Sequence, residues 1–577
     1  MSDSTHDSDR LGQRLDAILP RVTQPGQYIG SEWNTGPTDS DDLPTAVVLF
    51  PDVYARGLHD STFQTVYQAL RARSDLSVDR AFVPLADMRS ALAGAGIPWV
   101  TLDRKLPLAS ADWLVFVLAD PLTFPEVAGL LALADLPVRS AERNAGHPGT
   151  IGLGPGVPAA GSLGEILDAM LAGEPEDAIA PLFDHLLAGR GSPGTALLES
   201  VFEPGVPSAP DEHPRPVTLA IARDLDRCFA MTNPVPGWIQ THDERIHVDV
   251  QRGGQRDPEC DPPSDRFPEL RNRSAERTLQ IASEAYRSSG IGRIHLAGTA
   301  HAPCPGLEGV VRRLADEHRT NRTRITLDPL PAVDHVTGLI RELGRTDRAA
   351  WTLALDAGSE SLREEIGRGT PNRRILDLID ESAVAGISKV EVHIPIGHPA
   401  ESDPDLLAAV GLAKDLLQQP RGGFAPTKVH VRFEAFEPLP FTEADRSGMI
   451  EPEAARAAFE RVRSLLGPDG AKVSYASPEK AMLRTAIARA ETSARWTEAL
   501  VAIGTGPAGP DAGAEERRDA IARELARASI DAPGLATRTY AIAGAAPFDR
   551  FSWPTADVRP TTRIEAVTPT APRAASS

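Results

Sequence analysis

The chain has 577 residues, of which 41% are hydrophobic and 24% charged, a balance typical of a soluble globular protein of three or four domains. The formal net charge of −20 repels phosphate backbones, so nonspecific nucleic-acid binding is not expected. Three cysteines argue against a disulfide framework, and the most apolar run, residues 113–118, is too short to span a bilayer. We therefore expect a cytoplasmic protein that does not associate with membranes.

The N-terminal arm, residues 1–44, begins with a polar stretch rich in Ser and Asp. We expect the first ten residues to be disordered, because they offer little apolar surface to bury. A short amphipathic helix is predicted over residues 11–19.

Residues 45–188 alternate between predicted strands and helices. The predicted strands are 46–50, 80–84, 113–118 and a Gly-rich strand end at 150–156. One predicted helix follows the first strand and ends near residue 72, and three others cover 87–95, 125–134 and 163–171. This alternation predicts a doubly wound parallel sheet. Gly152 and Gly154 would let a phosphate or a ring approach the backbone, although such glycines more often only form a tight turn between a strand and a helix.

Residues 189–240 are a Gly-, Pro- and Ser-rich linker and a lead-in segment, which mark a domain boundary. In residues 241–442, further βα units follow. Their predicted strands are 245–250, 293–297, 323–327, 351–355, one that begins at 389, and 429–436; predicted helices cover 274–288, 307–317, 336–343 and 374–385. This spacing predicts a partial (β/α)6 barrel with ligands at the carboxyl ends of its strands.

The last part, residues 443–577, has helical periodicity at 451–466, 478–499 and 514–529. We expect the first two of these segments, 451–466 and 478–499, to cover one side of the barrel. Residues 504–513 are predicted to be a flexible linker, and the Pro/Thr/Ala-rich residues 555–577 a disordered tail.

Several stretches of this chain resemble the radical S-adenosylmethionine (SAM) enzymes that carry an N-terminal cobalamin-binding-type domain, in particular the branch often encoded near ribonuclease E/G. The resemblance covers roughly residues 19–490. It rests on the segments LPRVTQPGQYIGSEWN (19–34), FPDVY (50–54), LAGE (171–174) and LALDAGSESLRE (353–364). It implies a cobalamin-binding-like, Rossmann-type α/β domain, followed by a TIM-type radical SAM barrel and a helical C-terminal region.

The loop after the first barrel strand departs from this family. In that family the strand ends in Arg-Gly-Cys and continues as Cys-x3-Cys-x2-Cys, and the three thiolates hold a [4Fe-4S] cluster. Arg252 and Gly253 are retained here, but the three cysteine positions are Gly254, Pro258 and Asp261. Three thiolates are the working minimum, because radical SAM chemistry leaves one iron free to bind SAM. We therefore do not expect a [4Fe-4S] cluster.

Other positions that the family uses for ligands are also altered. The carboxylate that helps to hold SAM is usually glutamate and is Asp356 here, a cavity-lining arginine is Ala332, and a basic residue after the sixth strand is Glu437. By resemblance, the candidate SAM-binding residues are Asp356, Gly358, Ser359, Gly253 and Gly254.

Two further cofactor sites are considered. Cys260, His301 and Cys304 are candidate ligands of a mononuclear zinc or ferrous iron, although their spacing matches no familiar pattern and Cys260 is more simply an ordinary loop thiol. The histidine signature Asp-x-His-x2-Gly of other cobalamin proteins is missing. Family members commonly lack it, so Gly152 and Gly154 stay candidate cobalamin-binding residues.

Three functions follow from this reading. The leading hypothesis is a pseudoenzyme: a degenerate radical SAM protein that acts as a non-catalytic partner or scaffold for an active radical SAM relative or another protein subunit. The second is an enzyme that uses SAM or a mononuclear metal in the barrel cavity. The third is a small-molecule sensor that uses the cobalamin-type domain.

Overall fold

A computed structural model describes most of the chain. The described residues are 3–35, 42–189, 199–204, 216–239, 241, 244–253, 268–298, 304–319, 322–346, 348–366, 369–418, 427–440, 444–467, 473–540 and 546–552.

Strands and helices alternate through most of the chain. The strands are β1 (Thr45–Val53), β2 (Ser77–Val83), β3 (Trp113–Val117), β4 (Gly149–Leu153), β5 (Ala169–Leu171), β6 (Val201–Phe202), β7 (Val217–Thr218), β8 (Ile246–Asp249), β9 (Gln251–Arg252), β10 (Arg271–Asn272), β11 (Arg293–Ala297), β12 (Arg324–Leu327), β13 (Ala350–Ala354), β14 (Lys389–Ile396), β15 (Lys428–Ala435), β16 (Val473–Tyr475) and β17 (Phe551–Ser552). The helices are α1 (Asp3–Ile18), α2 (Tyr54–Gly57), α3 (Ser61–Arg71), α4 (Ala86–Ala95), α5 (Pro125–Leu133), α6 (Ile179–Leu187), α7 (Ala275–Ser289), α8 (Leu307–Glu317), α9 (Val336–Leu343), α10 (Glu360–Glu365), α11 (Asn372–Ala385), α12 (Asp403–Gln418), α13 (Pro452–Leu466), α14 (Pro478–Ala488), α15 (Ala494–Gly504), α16 (Ala514–Arg527) and α17 (Ala532–Thr537).

The N-terminal domain is built on one sheet with the strand order β2-β1-β3-β4-β5-β6. The first five strands are parallel and β6 is antiparallel to β5. Every residue of β1 and β2 is buried because both faces of the sheet are covered. The predicted doubly wound fold is thus confirmed.

Two local predictions in this half of the chain are wrong. The predicted helix at 163–171 is replaced by a 3₁₀-helix, Val157–Leu163, and by β5, because the apolar residues 169–171 pair with β4 and are fully buried. An apolar run this short fits a helix or a strand equally well, and the tertiary pairing decides. Helix α1 also begins at Asp3, where we expected disorder.

The second domain is a partial barrel of parallel strands in the order β8-β11-β12 and β13-β14-β15-β16. An isolated parallel bridge between Leu330 and Leu353 connects the two groups. The apolar faces of the strands pack against α7, α8, α9, α11, α12 and α13 in one core. The barrel prediction is confirmed, and β16 adds a seventh strand beyond the predicted six.

The C-terminal helices pack elsewhere than expected. Helix α13 does cover the barrel, through Phe459 and Val462. Helices α14, α15 and α16 instead belong to the core of the N-terminal domain, with Leu483, Leu500 and Ile521 fully buried there. The expectation that residues 478–499 cover the barrel is therefore wrong, since the apolar faces of α14 and α15 complete the first domain. No helix in the described ranges has the length and hydropathy that a membrane span requires.

Candidate functional site at the junction of the two domains

Arg252, which the sequence resemblance matches to the arginine of the cluster motif, joins the barrel to the N-terminal domain. Its Nη2 lies 2.6 Å from Asp249 Oδ2 at the end of β8 and 2.6 Å from Glu176 Oε1 in the segment after β5. The Glu176 side chain is only 5% exposed. Although burial opposes ionisation, the Arg252 guanidinium holds the pKa of Asp249 well below its usual range. Arg252 thus acts here as an interdomain ion-pair residue.

A second ion pair strengthens this junction. Arg271 on β10 binds Glu174 through two N–H···O contacts of 2.7 Å, and Glu174 also accepts the backbone N–H of Ala222. Strand β10 pairs with β9, so both arginines lie on one ribbon. Burial, together with Glu176 and Glu174, raises the pKa of the neighbouring Asp177 to about 6. The acidic segment after β5 is therefore fixed to the β9–β10 ribbon by a network of charges.

The loop itself can be followed only as far as Gly253. Its φ is +75°, and a Cβ there would lie 2.5 Å from the carbonyl oxygen of Glu269, so the turn requires glycine. The predicted site residues Gly254, Cys260 and His301 lie outside the described residues. Their roles stay predictions.

The two described cysteines have the properties of protonated thiols. Burial raises the pKa of both Cys228 and Cys304 to about 11, and Cys228 Sγ donates to Leu225 O at 3.6 Å. Cluster and metal ligands are thiolates. In the described segments no three His, Cys, Asp or Glu side chains are grouped as metal ligands. The candidate ligand Cys260 lies outside the described residues, so the absence of a [4Fe-4S] cluster stays a prediction.

The residues proposed to bind SAM after β13 are partly engaged in packing. Ser359 is 1% exposed; its Oγ accepts the N–H of Leu362 at the start of α10 and donates to Asp405 Oδ1 at 2.5 Å. A Cβ at Gly358 would lie 2.3 Å from Ala409 Cβ, so this glycine lets α12 approach. Asp356 is half-buried just beyond β13. SAM binding by these residues stays a prediction.

The strand face turned away from the helices carries polar side chains that sequence reasoning missed as a group. Three histidine–carboxylate pairs lie on it: His247 with Asp249 (Nε2 to Oδ1, 3.3 Å), His295 with Asp328 (Nε2 to Oδ1, 3.1 Å) and His393 with Glu391 (Nε2 to Oε1, 3.1 Å). The rings of His247 and His295 lie 5.3 Å apart because these residues are in register on β8 and β11. The strict alternation of polar and apolar residues in these strands could have revealed this face.

Ionisation on this face is set by burial and hydrogen bonding. Burial lowers the pKa of His295, which keeps the imidazole neutral near pH 7. Burial tends to raise the pKa values of Asp328 and Glu391, but hydrogen bonds from His295, Lys389 and neighbouring groups lower both overall. A neutral imidazole beside an ionised carboxylate, as in the His295–Asp328 pair, can move a proton at neutral pH.

Gly152 and Gly154, proposed to approach cobalamin, lie against the protein's own chain. A Cβ at Gly152 would meet Leu167 Cδ1 at 2.7 Å. Gly154 has a φ of +110°, and a Cβ there would lie 2.7 Å from the carbonyl oxygen of Leu118. These glycines therefore permit tight strand packing; binding of cobalamin by them stays a prediction.

C-terminal residues contact the carboxyl edge of the N-terminal sheet, where ligands of open α/β sheets usually bind. Arg484 on α14 bridges Asp120, after β3, and Glu437, after β15, with N···O distances of 3.1 and 2.8 Å. The resemblance predicts a basic residue at the position of Glu437; here the Glu437 carboxylate pairs with Arg484. This contact also joins the two domains.

The segment between α15 and α16 completes this coverage. Arg56, after β1, donates to Pro510 O at 2.7 Å, and the N–H of Ala86, after β2, donates to Asp511 Oδ2 at 2.7 Å. Arg517 on α16 pairs with Glu126 on α5 and donates to Ala508 O at 2.5 Å. The predicted flexible linker at 504–513 is thus bound to the sheet edge.

Comparisons with known proteins relate the N-terminal domain to radical SAM proteins. Residues 62–201 match the family model of radical SAM proteins, N-terminal. The uncharacterized protein MJ0966 of Methanocaldococcus jannaschii is 26% identical over 140 residues, which are 24% of this chain and 30% of that protein.

Solved structures of the cobalamin-dependent SAM radical enzyme OxsB also match. The structure with aqua-cobalamin has a TM-score of 0.44 at 10% identity, and the match covers 72% of this chain and 58% of OxsB. With aqua-cobalamin and SAM bound the TM-score is 0.44 at 11% identity, over 66% of this chain and 53% of OxsB. The matches therefore span less than two thirds of the length of MJ0966 and of OxsB.

Proposed function

We propose that this chain is a degenerate radical SAM protein of the ribonuclease E/G-associated branch, which holds no [4Fe-4S] cluster and serves as a non-catalytic partner or scaffold subunit. One observation carries the proposal. Gly254, Pro258 and Asp261 stand at the three thiolate positions, while Arg252 is engaged by Glu176 of the other domain and by Asp249 of its own. The arginine that would adjoin the catalytic loop in a relative makes an interdomain contact here.

The covered sheet edge supports the same proposal. Arg484, Arg517 and the 504–513 segment contact the carboxyl edge of the N-terminal sheet, where a ligand would bind. Because the chain's own residues occupy this edge, a ligand has less access to it. This arrangement is consistent with a protein whose function is to bind a partner protein. The partner would be an active radical SAM relative or another subunit.

A second candidate is favoured by the histidine–carboxylate pairs of the barrel. An enzyme that binds a polar substrate in this barrel would have His295 and Asp328 available for general acid–base catalysis. Asp356 would be its candidate contact to SAM. The sensor hypothesis has no comparable support, because Gly152 and Gly154 are engaged in strand packing.

Titration calorimetry of the intact chain with SAM and with hydroxocobalamin separates these functions. The scaffold proposal expects no binding of either at millimolar concentration. SAM binding that weakens about tenfold or more in Asp356→Asn, but not in the exposed control Asp316→Asn, would favour the enzyme. Cobalamin binding would favour the sensor. A scaffold also requires a stoichiometric partner in native purification, and recovery of the chain alone would contradict this role.

A further inference from the structure

A cavity of about 490 Å³ lies between the 3₁₀-helix Val157–Leu163 and residues 546–551. Its volume is in the range of small-molecule sites, about 300–1,000 Å³. Most of its lining is apolar, including Val157, Met170, Pro204, Pro216, Pro547 and Phe551. The cavity thus offers an apolar ligand a place outside the barrel.

One cationic side chain lines this cavity. The Arg550 guanidinium carbon lies 4.3 Å from the ring centroid of Phe202 and 4.9 Å from that of Phe551. In the part of the chain that the structure describes, Arg550 makes no ion pair with a carboxylate. Asp549 is paired with Arg446 at 2.5 Å, and Glu491 is exposed.

The charge on Arg550 is retained although it is poorly solvated. Burial lowers its pKa to about 10, which leaves the guanidinium protonated near pH 7. The two aromatic rings offset part of the desolvation cost, since cations are attracted to ring faces. A desolvated charge without a counter-ion still favours an incoming anion.

We propose that this cavity binds an organic monoanion whose carboxylate pairs with Arg550 and whose apolar body fills the remaining space. The proposal is independent of the scaffold function, because it involves neither the barrel strands nor the segment that follows Gly253. A planar guanidinium presents two parallel N–H groups to a carboxylate, which also gives the pair a defined orientation.

Calorimetry with octanoate, and with octanol as its neutral analogue, tests the proposal on the intact chain. Octanoate is expected to bind the native chain about 10- to 100-fold more tightly than Arg550→Met, since a charge-assisted hydrogen bond is lost. Octanol should bind both equally. Arg527→Met, which removes an arginine that is 80% exposed, is the control and should leave octanoate affinity unchanged.

Thermal unfolding shows whether Arg550→Met is folded, so that a loss of octanoate binding can be assigned to the missing guanidinium. Arg550→Met should unfold at the same temperature or higher, because the substitution removes a poorly solvated charge. Equal octanoate affinity of the native chain and Arg550→Met would overturn the proposal, as would octanol binding as tightly as octanoate. The proposal expects a submillimolar Kd for octanoate, and 5 mM octanoate is about 10-fold above such a value. Absence of octanoate binding at 5 mM would therefore also overturn the proposal.

Discussion

Arg252→Met is expected to lower the local free energy of unfolding at the domain junction by about 3 kcal/mol, because it leaves the buried Glu176 carboxylate without a cation and Asp249 with only His247. Glu176 and Asp249 would lose their 2.6 Å contacts, and the side chains of these two acids are 5% and 24% exposed. Arg252→Lys should recover only part of the loss, since an ammonium cannot span both carboxylates as a guanidinium does. The junction would loosen while each core stays intact.

Amide hydrogen exchange of β8 and β10 measures this effect. A loss of about 3 kcal/mol corresponds to roughly 100-fold faster exchange. The folded-state pKa of Asp249 is depressed, so its stabilisation is present above its ordinary pKa of about 4 and disappears as the pH falls below that value. Arg227→Met, at a side chain that is 88% exposed, is the control. Equal exchange in Arg252→Met and Arg227→Met would contradict an interdomain role for Arg252.

Arg517→Met is expected to destabilise the N-terminal domain by about 3 kcal/mol at pH 8 and by only about 1 kcal/mol at pH 5. Its partner Glu126 is 1% exposed, and burial raises the pKa of that carboxyl to about 7. The folded state therefore holds a proton that the unfolded state has lost between about pH 4.5 and 7, so stability falls as the pH rises across this range. Removal of Arg517 raises the pKa of Glu126 further. The loss of unfolding free energy in Arg517→Met is therefore greatest at pH 8, where the buried carboxylate must ionise.

Urea unfolding at pH 8 and pH 5, followed by circular dichroism, checks this prediction. Arg527→Met on the same helix is the control and should be nearly neutral, because its side chain is 80% exposed. Glu126→Gln in the Arg517→Met background should reduce the pH 8 deficit to the level at pH 5. A deficit that is equal at both pH values would mean that Arg517 acts through packing and not through Glu126.

Much of the architecture could be predicted because it is encoded locally. Strand β11 and helices α8 and α9 have the predicted bounds, since their apolar periodicity and their breaks are unambiguous. The packing of the C-terminal helices could not be predicted. Periodicity shows that one face of α15 is buried, but not that Gly504 meets Gly129, where an added Cβ would lie 2.5 Å from the Gly504 carbonyl oxygen.

The candidate site was predicted only in part. Arg252 and Glu437 were identified as motif positions, but their partners, Glu176 and Arg484, lie far away in sequence and belong to other elements. The sequence resemblance indicates only that Glu437 replaces a basic residue. Its ion pair gives it a structural role, and such a role depends on tertiary contacts that no local pattern contains.

The most direct test of the central claim is anaerobic reconstitution of the intact chain with iron and sulfide, followed by iron counting and a visible spectrum. Native protein and Cys260→Ala should be compared. Negligible iron in both is the result expected of a degenerate radical SAM protein. About four irons per chain, lost in Cys260→Ala, would contradict the claim and establish a cluster with unusual ligands.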